Sequence, residues 1–226
     1  MSNSQVGTYK FEAFPFHLDV RGKLSMGVLG KHLLNCADAY AAERGFDVVE
    51  QGGEHYTWVL SRLAIELEDL PSCHESFSIQ TWVENVYRLF ADRNFVICNK
   101  DEKPIGYVRS VWAMISMETR NPANLLDLHG DRITNSICEK ECPIAKPGRI
   151  KVSQQEAVSE YVAKYSDLDI NGHVNSIKYI EHILDIFPLD IYKKKALKRF
   201  EIAYVAESYY GDTLCFYMEE KNENEY

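Results

Sequence analysis

No stretch of this 226-residue chain carries the roughly 20 consecutive apolar residues that a membrane-spanning helix needs, so a soluble protein is expected. Its hydrophobic content of 46% is ample for a packed core. Positive charge is scarce: 25 Lys and Arg face 34 Asp and Glu, a net charge of -9. The phosphates of a nucleic acid would be repelled, and an acidic partner would have to be met by a local basic patch. The six cysteines, at 36, 73, 98, 138, 142 and 215, offer one close pair, Cys138 and Cys142, with no His or second Cys pair to complete a zinc set. No signal peptide pattern opens the chain, which favours a reduced, cytoplasmic setting over a disulfide framework. A glycine-rich phosphate loop and a metal-ligand cluster are also missing, so no cofactor is expected.

What the chain does carry is a polar run, Tyr165-Ser166-Asp167-Leu168-Asp169-Ile170-Asn171-Gly172-His173-Val174-Asn175. Alternation over Val158 to Tyr165 predicts a strand before it, and apolar positions at helical spacing from Ser176 predict a helix after it. Unsatisfied N–H groups at a helix start can hold a developing oxyanion beside these side chains. Calcium is a competing reading, because Asp167, Asp169, Asn171 and Gly172 fall at positions 1, 3, 5 and 6 of an EF-hand loop. It fails at position 12, where Lys178 replaces the bidentate Glu, and in its entry from a strand. An Asx-rich helix cap is the other alternative, and it has no use for His173.

The chain also repeats itself. Leu18-Asp19-Val20-Arg21-Gly22-Lys23-Leu24 matches Leu168-Asp169-Ile170-Asn171-Gly172-His173-Val174 at an offset of 150, each followed by a helical pattern, Met26 to Arg44 and Ser176 to Phe187. Beyond the helices, Arg62-Leu63-Ala64-Ile65 matches Arg199-Phe200-Glu201-Ile202 at an offset of 137. Strand patterns after one long helix predict an antiparallel sheet packed on that helix. Where the second copy carries Asn171, His173 and Glu207, the first carries Arg21, Lys23 and Leu70, which places the chemistry in the second copy. Asp169 keeps a twin in Asp19, so a purely structural role is open for it. Trp58, Leu60, Trp82, Phe90, Phe95 and Trp112 are candidates for the lining of an apolar ligand pocket, against a default of core packing.

The run Ser166 to Asn175, followed by Lys178-Tyr179-Ile180, resembles the signature of the acyl-acyl carrier protein thioesterases, and Tyr87 to Phe95 is similar as well. The resemblance implies an α+β tandem hotdog, each half an antiparallel sheet around a long helix. The units expected are 1–130 for acyl-chain binding, a linker at 131–150, and 151–226 for catalysis. With about 50 residues after Ser176, the second unit looks short of its last strands, and the lack of a plastid-type transit segment suggests a bacterial member. Carried over by matching positions, the catalytic set is Asp169, Asn171, His173 and Glu207, with Glu207 on a strand from Tyr204 to Ser208. Family members often have a cysteine after that glutamate; here it is Ser208, which removes a Cys-His mechanism.

The resemblance implies hydrolysis of acyl-acyl carrier protein, releasing a fatty acid and ending fatty acid synthesis. Alternatives are an acyl-CoA thioesterase, a hotdog acyl hydratase and, from another class, a binding module that grips the carrier without turnover. Glu207 argues against the hydratase, and burying four polar groups gains a pure binder nothing. The acidic carrier protein would be met by Lys193, Lys194, Lys195, Lys198 and Arg199, although such a run is often only a solvated surface. Homodimer formation is left open.

Overall fold

The computed structural model describes residues 5–148, 153 and 156–226. In chain order these form β1 (Gly7–Glu12), α1 (Met26–Glu43), β2 (Val49–Gln51), β3 (Glu54–Leu67), β4 (Ser76–Val86), β5 (Ala91–Asn99), β6 (Pro104–Ser116), α2 (Leu125–His129), α3 (Asp131–Thr134), β7 (Ser159–Val162), α4 (Ser176–Asp185), α5 (Leu189–Lys194), β8 (Arg199–Ala203) and β9 (Thr213–Phe216). Ser25 caps α1 by accepting a hydrogen bond from the Val28 N–H, and the helix then buries Met26, Leu29, Leu33, Ala37 and Tyr40, one face at helical spacing. Against that face lie Leu63, Ile65, Phe77, Ile79, Phe95, Ile97 and Val108 from the strands, and they close the main core.

The sheet runs β1-β4-β5-β6-β3-β2, all neighbours antiparallel, with β8 added beside β3; β7 and β9 form a separate pair. Register shifts at Leu60/Arg62, Val83/Asn85 and Ile97/Cys98 let the long strands bend around α1. This is the α+β, helix-in-sheet arrangement expected of a hotdog.

The second copy is joined to the first through β3 and β8. Ala64 stands opposite Glu201, its counterpart at the offset of 137, while Arg62 faces Ala203 and Glu66 faces Arg199. Pairing two equivalent strands about equivalent residues makes a local twofold relation, so the repeat seen in sequence is also a repeat in space. The helices obey it too. Gly30 lets α4 approach α1, because a Cβ there would lie 2.6 Å from Ile177 Cδ1.

Both copies build the same turn. In each, an aspartate (Asp19, Asp169) accepts through Oδ1 from the N–H groups two and four residues on, and donates its own N–H to the carbonyl of Lys23 or His173. A glycine in the left-handed region closes each turn, Gly22 at φ 71° and Gly172 at φ 80°.

The structure differs from the sequence expectations in three places. The helix after the polar run ends at Asp185, ahead of Pro188, and the link that follows contains α5, which takes in Lys193 and Lys194, while Lys195 and Lys198 lie beyond it and Arg199 opens β8. Residues 204–208 are not a strand: β8 ends at Ala203, where the irregularity in β3 turns its partner away, and only the Tyr204 N–H to Ser61 O bond continues the ladder. Much of the expected linker is packed against the sheet. Trp82 Nε1 donates to Lys140 O, Arg109 to Cys142 O and Ile144 O, and Cys142 and Ile144 are buried. The expected boundary at 150/151 lies outside the described residues.

Gly22 and Gly172 share one conformation, and neither has a heavy atom within 4 Å of where a Cβ would stand, so backbone strain alone sets the cost of a side chain. Gly22→Ala and Gly172→Ala are expected to destabilise the fold equally, by about 1 kcal/mol each, which parallel denaturation curves would measure.

Candidate active site

The second turn positions three of the four residues singled out in the sequence. Asp169 spends Oδ1 on the Asn171 and His173 N–H groups, as Asp19 does in a turn with no catalytic set. That shared pattern explains Asp169 as the residue that holds the turn. Asn175 caps α4 through the Ile177 N–H, and the Val174 and Asn175 N–H groups donate to Ser208 O and Asp167 O. These backbone donors are therefore engaged. Asn171, on the cavity wall, offers a side-chain amide as donor instead.

The fourth residue is delivered by the same bonds. Val174 N–H to Ser208 O, and the bridge of His173 to Tyr209, clamp the segment after β8 onto the turn and bring Glu207 alongside His173. His173 Nε2 stands 3.6 Å from Glu207 Oε2, with the imidazole side chain 17% exposed and the carboxylate 37%. Tyr209 packs edge-on against the imidazole, ring centroids 5.0 Å apart. The sequence reading missed one member of the site: Arg120, in the loop after β6, forms an ion pair with Glu207 Oε1.

Asp169, Asn171, His173, Glu207 and Arg120 face one cavity of about 420 Å³, within the usual range for a small-molecule site. Asp169, Asn171, His173 and Glu207 line one part of it with neighbours such as Tyr179 and Tyr204, and first-copy residues, chiefly of α1 and β3, line most of the rest. Trp58, Leu60 and Trp112 of the six pocket candidates lie on its wall. Trp82 and Phe95 belong to the cores, and Phe90 is exposed away from it. Arg93 also lines the cavity, buried against the Tyr40 ring at 4.6 Å; loss of solvation brings its guanidinium down to about 10. No cysteine is among the described lining residues, and burial pushes the Cys36 thiol up to about 12.

The basic run is compensated in part, with ion pairs at Lys193 and Arg199. Arg199 pairs with Glu66 and Glu201, Lys198 donates to Glu68 O, Lys193 pairs with Asp190, and Lys195 donates to Glu223 O and Asn224 Oδ1. Lys193, Lys194 and Lys195 stay exposed at the end of α5.

Asp167, the first position of the calcium pattern, is buried and accepts from Tyr161 OH at 2.8 Å, the Lys164 N–H at 2.8 Å and His182 Nε2 at 3.2 Å. At the offset of 150 its counterparts are His17, Phe11 and His32, so comparing the copies could have revealed it. Burial raises its carboxyl, but the Lys164, Tyr161 and His182 bonds outweigh that and hold it below the ordinary value. A depressed folded value stabilises above the unfolded value and is lost as pH falls through the folded one. Asp167→Asn is expected to cost about 1–3 kcal/mol at pH 7 and to flatten the loss of stability on acidification, as thermal melts across pH would show.

One sheet curled on a long helix, extended by β8 of a second copy, with an imidazole and a carboxylate meeting at the cavity between the copies, is a hotdog-like α+β arrangement with a candidate site at the junction. Residues 5–130 match the acyl-ACP thioesterase N-terminal domain and residues 150–226 the acyl-ACP thioesterase C-terminal domain, and the chain belongs to the acyl-ACP thioesterase family. It is similar to the crystal structure of an acyl-ACP thioesterase from Bacteroides thetaiotaomicron, with 60% identity, a TM-score of 0.91, and 97% of this chain and 88% of that one covered. The 12:0-ACP thioesterase of Umbellularia californica shares the fold at 17% identity and a TM-score of 0.77, covering 92% of this chain and 80% of that one. A palmitoyl-acyl carrier protein thioesterase of Gossypium hirsutum is 26% identical over 76% of this chain and 44% of its own length. The chain spans less than half the length of the curated relatives it matches first.

Proposed function

We propose that this protein hydrolyses the thioester of acyl-acyl carrier protein, releasing a free fatty acid and so ending fatty acid synthesis. The observation that carries the reading is the approach of Glu207 and His173 to 3.6 Å at a cavity largely walled by the other copy. At that separation both can hydrogen-bond one attacking water. Glu207 takes its proton as the oxygen adds to the thioester carbon, with His173 sharing the water or returning a proton to sulfur. Asn171 donates its amide to the oxyanion. The intermediate then collapses, the carbon–sulfur bond breaks, and the carrier thiolate leaves with a proton while the carboxylic acid stays in the cavity. Asp169 keeps the turn that aims Asn171 and His173. Direct attack by Glu207 is the variant of this route that covalent trapping would reveal.

The acyl chain lies against the first copy, and the carrier approaches Lys193, Lys194 and Lys195. The reading sets the enzyme in a bacterial cytoplasm and is compatible with a homodimer. For the membrane, the structure gives a narrower fact: among the described residues no helix is long and apolar enough to cross one.

Incubation with carrier-linked acyl thioesters of several chain lengths is expected to release free thiol and fatty acid. A hydrated acyl product without thiol would favour the hydratase reading, and turnover of coenzyme A thioesters alone would assign the carrier wrongly. Glu207→Gln and His173→Ala should each lower kcat about a hundredfold or more with unchanged melting, whereas Ser208→Ala stays active. Asp169→Ala should lose activity together with thermal stability, because the turn opens.

Reversing Lys193, Lys194 and Lys195 to Glu is expected to raise KM for the carrier-linked substrate several-fold and to leave a short pantetheine thioester little changed. Steady-state kinetics on the two substrates at two salt concentrations would check it, since screening should mute the difference.

A further inference from the structure

We propose that Arg120 is a positioning residue for Glu207, contributed by the first copy to a site otherwise built from the second. The inference rests on the thioesterase reading above. Arg120 sits in a tight loop in which its N–H donates to Ser116 O, the Thr119 N–H to Ser116 Oγ and the Ser116 N–H to Asn121 O. Its backbone is left-handed, at φ 59°, where any residue other than glycine is strained. Among the described residues His74 and Glu102 share that strain, but only Arg120 of the three lines the cavity. Strain of this kind persists where the surrounding structure fixes it, and it gathers at functional sites.

The two oxygens of Glu207 have different partners. Arg120 Nη2 holds Oε1, and Oε2 is left facing His173 Nε2. A glutamate more than a third exposed has several rotamers open to it, and a planar guanidinium on one oxygen selects the one that aims the other at the imidazole. Arg120 therefore acts through Glu207 rather than on the substrate. It fixes the direction of the base before the thioester arrives, and a misplacement of about 1 Å is enough to cost on the order of a hundredfold in rate. The charged and titratable groups around Glu207 are Arg120 from the β6 loop, with His173 and Asp169 from the turn before α4.

The test uses Arg120→Gly, because glycine favours the existing φ and the fold should survive. With a carrier-linked or pantetheine acyl thioester, kcat is expected to fall about tenfold or more while KM changes less than about twofold, and melting should be unchanged or higher. Added guanidinium ion should restore part of the lost kcat, and Arg120→Lys should retain part of it. Placed in a Glu207→Gln background, Arg120→Gly should add no further loss, since the residue it positions is already disabled. Full kcat in Arg120→Gly, or an undiminished extra loss in the Glu207→Gln background, overturns the inference and leaves the thioesterase reading standing. A wild-type protein that releases thiol from no acyl thioester overturns both.

Discussion

Antiparallel pairing of β3 with β8 is the constraint on which the rest of the molecule depends. Ala64 and Glu201 lie opposite each other at its centre, and the ladder on either side matches Arg62 to Ala203 and Glu66 to Arg199. The cross-strand ion pair of Arg199 with Glu66, directly opposite it, supports the register at one end. Once the register is fixed, the segment after Ala203 can only emerge beside the second turn, where Val174 and His173 catch it. A slip of one residue would carry Glu207 away from His173 and reverse the faces of β8.

The duplicated turn shows how one backbone design supports opposite outcomes. In the first copy the long side chains that replace Asn171 and His173 are consumed locally, Arg21 by Asp19 and Lys23 by Asp69. Neither is left to act on a ligand. In the second copy the aspartate carries no side-chain partner of that kind, Asn171 and His173 face the cavity, and the carboxylate opposite is Glu207 where the first copy has Leu70. The first copy then contributes what the second lacks, an apolar wall of β3 and β6 residues and the guanidinium of Arg120.

Much of this was legible in the sequence because a repeat carries its own internal control. The offsets of 150 and 137 located the two turns and the two junction strands, and the structure pairs those strands about the matching residues. Catalytic candidates within nine residues of one another could be read as a unit, since a turn has few conformations. Arg120 could not: it precedes Glu207 by 87 residues, and only the folded sheet brings the β6 loop to the second copy. The strand expected for Tyr204 to Ser208 came with the site carried over from the resemblance, and a matched motif does not say whether a partner strand continues: β3 pairs β8 only as far as Ala203. Lys193 to Arg199 read as one patch, but Arg199 is neutralised by Glu201, two residues on, and by Glu66 of β3, which only tertiary packing brings to it.

For the proposed thioester hydrolysis, oxygen and nitrogen groups suffice. A thiolate is a good leaving group, so the barrier lies in adding oxygen to the carbonyl carbon rather than in expelling sulfur. That step needs a directed base and a donor at the oxyanion, and no nucleophile of exceptional reactivity. Among the cysteines, Cys36, Cys98 and Cys142 are buried and their thiols are pushed up, away from the reactive thiolate. Ser208, for its part, is held by its backbone, its carbonyl accepting from Val174. Its contribution is to fix the neighbour, Glu207, at the imidazole, so Ser208 matters more for where it puts the chain than for what its side chain could attack.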